Sequence, residues 1–163
     1  LTKPQITAWR TGRVKAVGSK TAPELYAAHL SQREAAQILS NFFYDVRLKS
    51  RIELRAADSM PPRYIAAYAQ LVKSVFGSPA ALQNVLRHYA GITTLDITTA
   101  KLAVCKDGFN ALAYGKPISS EMTWLLMQAR SRTPSQEERA LLDPFMALVM
   151  KRKTIRETEN YNE

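Results

Sequence analysis

Thr94, Thr98, Thr99, Lys101 and Lys106 lie close together, with Asp96 the one carboxylate among them. Short hydroxyls and ammonium groups at this density suit phosphate oxygens and the acceptors on base edges. Thr94, Thr98, Lys101 and Cys105 follow one another at steps of three or four, so they share one face of a helix. Thr98 and Lys101 are placed to read or position DNA. Arg87 and Lys116, on either side in sequence, are placed to hold phosphates, and Thr93 stands beside the row.

The elements around this row must present it. Ser78-Pro79 is a helix start, a hydroxyl cap followed by a proline where no helical N–H is lost. Leu82, Val85, Leu86 and Tyr89 then recur on one face. Gly91 stands where that helix would end on a left-handed residue, and Thr93 or Thr94 can cap the next one. The second helix is expected to turn Leu95, Ile97, Leu102, Val104 and Cys105 inward and to stop at Asp107-Gly108. Residues 78–107 thus have the outline of a helix-turn-helix. An ordinary helical hairpin has the same outline, and Arg87 sits where DNA-reading versions keep a small residue.

Composition points to an anionic partner. Lys and Arg number 23 against 14 Asp and Glu, a net +9 with pI near 9.8. Residues 1–56 carry +6 of it, from ten basic and four acidic groups. A single cysteine excludes an internal disulfide and a multi-thiolate zinc site, and fits a reducing compartment. No glycine-rich phosphate loop, nucleophile motif or metal-spaced ligand set is present, so no enzyme, cofactor or metal is expected. Cys105 reads as a buried structural thiol. No apolar run is long enough to span a bilayer and no hydrophobic leader opens the chain, so the expected location is cytoplasmic, away from membranes. The opening leucine is read as the mark of a removed initiator or tag.

The remaining chain reads as helix throughout. A short basic helix is expected over 1–20, with Arg10 and Arg13 in an arm for phosphates. Another is expected from Ala22 to His29. Ser31 and Glu34 form a capping-box signature, and Ala35, Ile38, Leu39, Phe42, Phe43 and Val46 extend one long amphipathic helix to about Ala57. Within it, LSQREAAQIL also resembles the first helix of another DNA-reading pair. After Ser59-Met60-Pro61-Pro62, a helix carries Tyr64, Ile65, Tyr68, Leu71, Val72, Val75 and Phe76. Gly115-Lys116-Pro117 is a turn, and Ser119 or Ser120 caps the helix that follows. A last helix starts at Thr133-Pro134-Ser135-Gln136 and buries Leu141, Leu142, Phe145, Leu148 and Val149. The expected fold is therefore all-α, with seven or eight helices: residues 1–132 form a helical domain, and 133–163 a C-terminal helix and frayed tail.

Three segments carry a resemblance: HYAGITT, TTAKLAVCKDGF and YGKPISSEMTW. The path from Phe76 to Leu125 resembles FlhC, the DNA-binding subunit of the flagellar master activator, and its relatives in conjugative elements. That family has an apolar helix, a short turn, a basic second helix, a Lys/Gly/Pro loop, and a serine and tryptophan opening the next helix. Its four zinc-binding cysteines are missing here, and the interval from Pro117 to Trp124 is about two residues longer. The resemblance implies a transcription activator subunit that binds duplex DNA with a FlhD-like partner or a second copy of itself, and that meets RNA polymerase. The residues alone leave two alternatives: a basic adaptor protein of a conjugation or phage assembly, and an RNA-binding regulator.

Overall fold

The computed structural model describes residues 7–10, 13–16, 18–21, 24, 30–40, 45–48, 51–57 and 59–159. The chain forms two compact units, Leu1–Asp58 and Ser59–Glu163.

The first unit is not purely helical. Strand β1 (Thr7–Arg10) pairs antiparallel with β2 (Arg13–Ala16), closing at the Arg10↔Arg13 register. This corrects the helix expected over 1–20. Thr7 and Trp9 against Val14 suit a pleated pair, and the intervening Thr11-Gly12 weakens a helix. Of the helix expected from Ala22 to His29, all but Glu24 lies outside the described residues. Helix α1 (Gln32–Ser40) starts as anticipated, with the Ser31 amide donating to Glu34 Oε2 at 3.0 Å. It does not run on to Ala57. Strands β3 (Val46–Leu48) and β4 (Ile52–Leu54) follow, with Arg47 directly opposite Glu53. The Arg47 guanidinium holds that carboxylate in a fork at 3.0 and 2.9 Å, a cross-strand pair that a straight helix would pull apart.

The second unit is mostly helical. Helix α2 (Pro62–Phe76) begins on the proline break, and α3 (Pro79–His88) begins where Ser78 Oγ accepts the Ala81 amide at 3.2 Å. Helix α4 (Thr94–Asp107) follows after residues 89–93, with Gly91 at φ +85. Strands β5 (Leu112–Ala113) and β6 (Lys116–Pro117) form a minimal hairpin across Tyr114 and Gly115, at φ 56 and 77. Both central residues at positive φ is the signature of the turn that matches strand twist. Helix α5 (Ile118–Ser131) leaves the hairpin directly, without the serine cap expected at 119 or 120. The expected last helix is two, α6 (Gln136–Ala140) and α7 (Asp143–Lys151), because Pro144 restarts the chain. The tail beyond Lys153 makes a short capped helix, α8 (Ile155–Thr158), rather than fraying throughout.

Three small two-stranded sheets therefore replace the all-α expectation. Each strand is too short for a period-two pattern to stand out from its surroundings. The core of the second unit joins Val75, Leu126, Ala129, Leu142 and Val149, so residues beyond 132 supply part of it. Thr133, expected to open a helix, is instead buried. It donates to the Ala129 carbonyl at 2.8 Å and accepts from Gln70 at 3.2 Å.

Helix α4 departs most from expectation. Leu95 and Leu102 are 74% and 68% exposed, Ile97 and Cys105 are exposed too, and only Ala100 is buried. Positions 95 and 102 form one stripe and 97, 100 and 104 another, and at about 3.6 residues per turn they lie on different sides. Only the side with Ala100 and Val104 meets the core.

Leu142→Ala should lower stability by about 3 kcal/mol in urea unfolding, since Leu142 is fully enclosed. Leu141→Ala, on the exposed side of the same turn, should cost less than about 1 kcal/mol.

Candidate nucleic-acid interface

The N-terminus of α4 is fixed by its own side chains. Thr93 Oγ1 accepts the Asp96 amide at 3.2 Å, while Asp96 Oδ2 accepts the Thr93 amide at 2.8 Å and its hydroxyl at 2.6 Å. These bonds hold the Asp96 carboxyl below its usual range. Thr93 is thus a cap, with its hydroxyl hydrogen already committed. Thr98 donates to the Thr94 carbonyl at 2.9 Å, which leaves its oxygen able to accept. Thr94, Thr99, Lys101 and Lys106 are exposed.

The helix gathers most of the expected residues on its outward half. Thr94, Thr98 and Lys101 form one row, and Thr99 and Lys106 form a second, with Leu95 and Leu102 between them. Arg87 is exposed near the end of α3 and donates to Asn84. Lys116 begins β6 and lies 3.4 Å from Glu121, with its side chain 59% exposed. Arg10 and Arg13 face each other at the end of the β1–β2 hairpin in the other unit, and their side chains are not among those described.

Behind this surface lies a cluster that sequence reading missed. Glu121, on α5, is buried and accepts from His88 Nε2 at 2.8 Å. An ionised carboxylate has no proton to donate, so the hydrogen sits on Nε2. The His88 ring lies flat on Trp124, with centroids 3.6 Å apart and planes 10° apart. Tyr89 meets the edges of His88, Trp124 and Tyr114. Burial and the neighbouring carboxylate push the Tyr89 phenol above its ordinary value. At Glu121, burial favours the neutral acid, but the His88 bond, its charge and Lys116 together win and hold the carboxyl low. Only the helical spacing of Glu121 and Trp124 could have hinted at this cluster, because His88 lies 33 residues away.

Among the described residues, no three His, Cys, Asp or Glu side chains gather as a metal site, and no helix is long and apolar enough to cross a membrane. Comparison with known family models and with curated proteins finds no match to this chain.

The lowered Glu121 value fixes a pH dependence. Its contribution to stability is present above the ordinary value of 4.5 and is lost as pH falls through the lower folded value. Glu121→Gln should therefore unfold more readily at pH 7, by about 1–3 kcal/mol. Its deficit against the parent should shrink on acidification, as read by urea unfolding across pH 3 to 7.

Proposed function

We propose that this chain is the DNA-binding subunit of a transcription activator, with α4 laid in the major groove and a partner subunit completing the site. The observation that carries this reading is the exposed row Thr94, Thr98 and Lys101 on a side-chain-capped helix that follows α3 after a five-residue turn. Hydroxyls and an ammonium at that spacing reach base edges and phosphates. Lys106 and Arg87 are exposed cations within the same helix pair, and the net charge of +9 supplies the non-specific attraction. Lys116 shares its charge with Glu121, so it serves as a secondary phosphate contact at the hairpin. One such helix covers a half-site, which is why a second subunit is part of the proposal, either a FlhD-like protein or another copy. This is also the place of the FlhC-like kinship suggested by HYAGITT and YGKPISSEMTW.

A second reading rests on the same helix. Leu95 and Leu102 are exposed between the two polar rows, as they would be on a basic adaptor whose face meets another protein.

Anisotropy titrations on duplex DNA, duplex RNA and single strands, repeated over salt, separate the readings. The DNA subunit should prefer duplex DNA and weaken steeply with salt. Lys106→Ala should weaken all duplexes alike and lower the salt slope by about one, whereas Lys101→Ala should cost about 1–3 kcal/mol on its preferred sequence only. Equal binding of parent and variants, or no binding to any nucleic acid, would leave the adaptor.

A further inference from the structure

A cavity of about 460 Å³, within the range of small-molecule sites, opens between the end of α2, the start of α3 and residues 132–138. Its floor is a triangle of hydrogen bonds whose hydrogens can be counted. Thr133 spends its hydroxyl hydrogen on the Ala129 carbonyl at 2.8 Å, so across the 2.9 Å gap between Ser74 and Thr133 the donor is Ser74. Both hydroxyl oxygens are then left as acceptors, and Gln70 Nε2 donates to them at 2.9 and 3.2 Å. Turning the amide over would set its oxygen against Thr133 Oγ1, which has no hydrogen left to give. Gln70 is only 5% exposed, and its Oε1 has no partner among the described residues. A buried carbonyl oxygen beside a cavity calls for a donor.

The charges of the lining also leave one group over. Lys73, Arg132 and Glu138 are the charged residues there. Lys73 and Glu138 cancel in an ion pair at 2.7 Å. Arg132 is half-buried, and its guanidinium makes no ion pair or hydrogen bond among the described residues. Nearby Arg139 donates to the Thr133 and Pro134 carbonyls and brings no negative charge, while Glu137 is exposed and outside the lining. The unmatched groups are therefore one cation and one buried acceptor. A guanidinium fork suits a carboxylate, and a neutral hydroxyl answers the acceptor without adding charge.

We propose that this cavity binds a small hydroxylated monocarboxylate, its carboxylate on Arg132 and one hydroxyl donating to Gln70 Oε1. The site goes beyond the DNA-binding reading and does not depend on it.

Calorimetry on the full chain in a carboxylate-free buffer, with three six-carbon probes, tests both halves of the match. Gluconate carries the carboxylate and the hydroxyls, hexanoate the carboxylate alone, and sorbitol the hydroxyls alone. Gluconate should bind at least tenfold more tightly than either. Arg132→Gln should weaken gluconate tenfold or more, while Glu138→Gln, which releases Lys73 to the cavity, should tighten it several-fold. Circular dichroism is the folding control for both variants. The proposal is overturned if gluconate does not bind, if hexanoate or sorbitol matches it, if folded Arg132→Gln binds it as the parent does, or if folded Glu138→Gln fails to tighten it. None of these measurements involves DNA, so their failure would leave the DNA-binding reading to its own titration.

Discussion

One buried carboxylate holds the second unit's outer half together. Glu121 is reached by His88 from the end of α3 and by Lys116 from the hairpin, and its charge is felt by Tyr89 in the turn before α4. A charge placed there without partners would be strongly unfavourable, so the surrounding groups must stay where they are. The flat stack of His88 on Trp124 adds a steric constraint to the electrostatic one. These contacts fix where α3 stops, and hence the point from which the turn to α4 departs.

Helix α4 itself is seated lightly by comparison. Ala100 is its one buried residue, with Val104 partly covered, and apolar cavities of about 370 and 260 Å³ share Val104, Ile118 and Met122 in their linings. Small side chains bury little area and make few dispersion contacts. The helix therefore depends on its ends: the Thr93–Asp96 box at one and Gly108, at φ 54, at the other. An element held at its ends and loosely along its length suits contact with a partner better than contribution to a core.

Local chemistry made part of this fold legible in the sequence. Ser31 with Glu34, Ser78 with Pro79, Thr93, Gly91 and the stop at Asp107 all act within a few residues of themselves, and each appears where its chemistry demands. The hairpins were hidden because two to four residues per strand cannot declare a period. The pairing of Arg47 with Glu53 depends on a partner strand, which a helical reading of 31–57 had no reason to suppose. The inward assignment of Leu95 and Leu102 failed for a different reason. The apolar residues of α4 occupy two sides, and hydrophobicity alone does not say which one the core will use. The Glu121 cluster needed two helices and a turn brought together, which no spacing along the chain encodes.

The two exposed leucines bear directly on how α4 could be used. They lie between Thr98 on one side and Thr99 and Lys106 on the other, so a surface covering either polar row also covers apolar carbon. A major groove offers apolar contact only at thymine methyl groups; elsewhere its edges are donors and acceptors that a leucine would leave unpaired. A protein surface can bury both leucines wherever it is apolar, but must then satisfy the threonines and Lys106. The polar rows favour nucleic acid and the leucines favour protein, and a single helix can meet both demands only by dividing its face between them. A DNA-reading subunit that also requires a second subunit against the same helix pair makes that division, which is why we combine duplex DNA and a protein partner in one proposal.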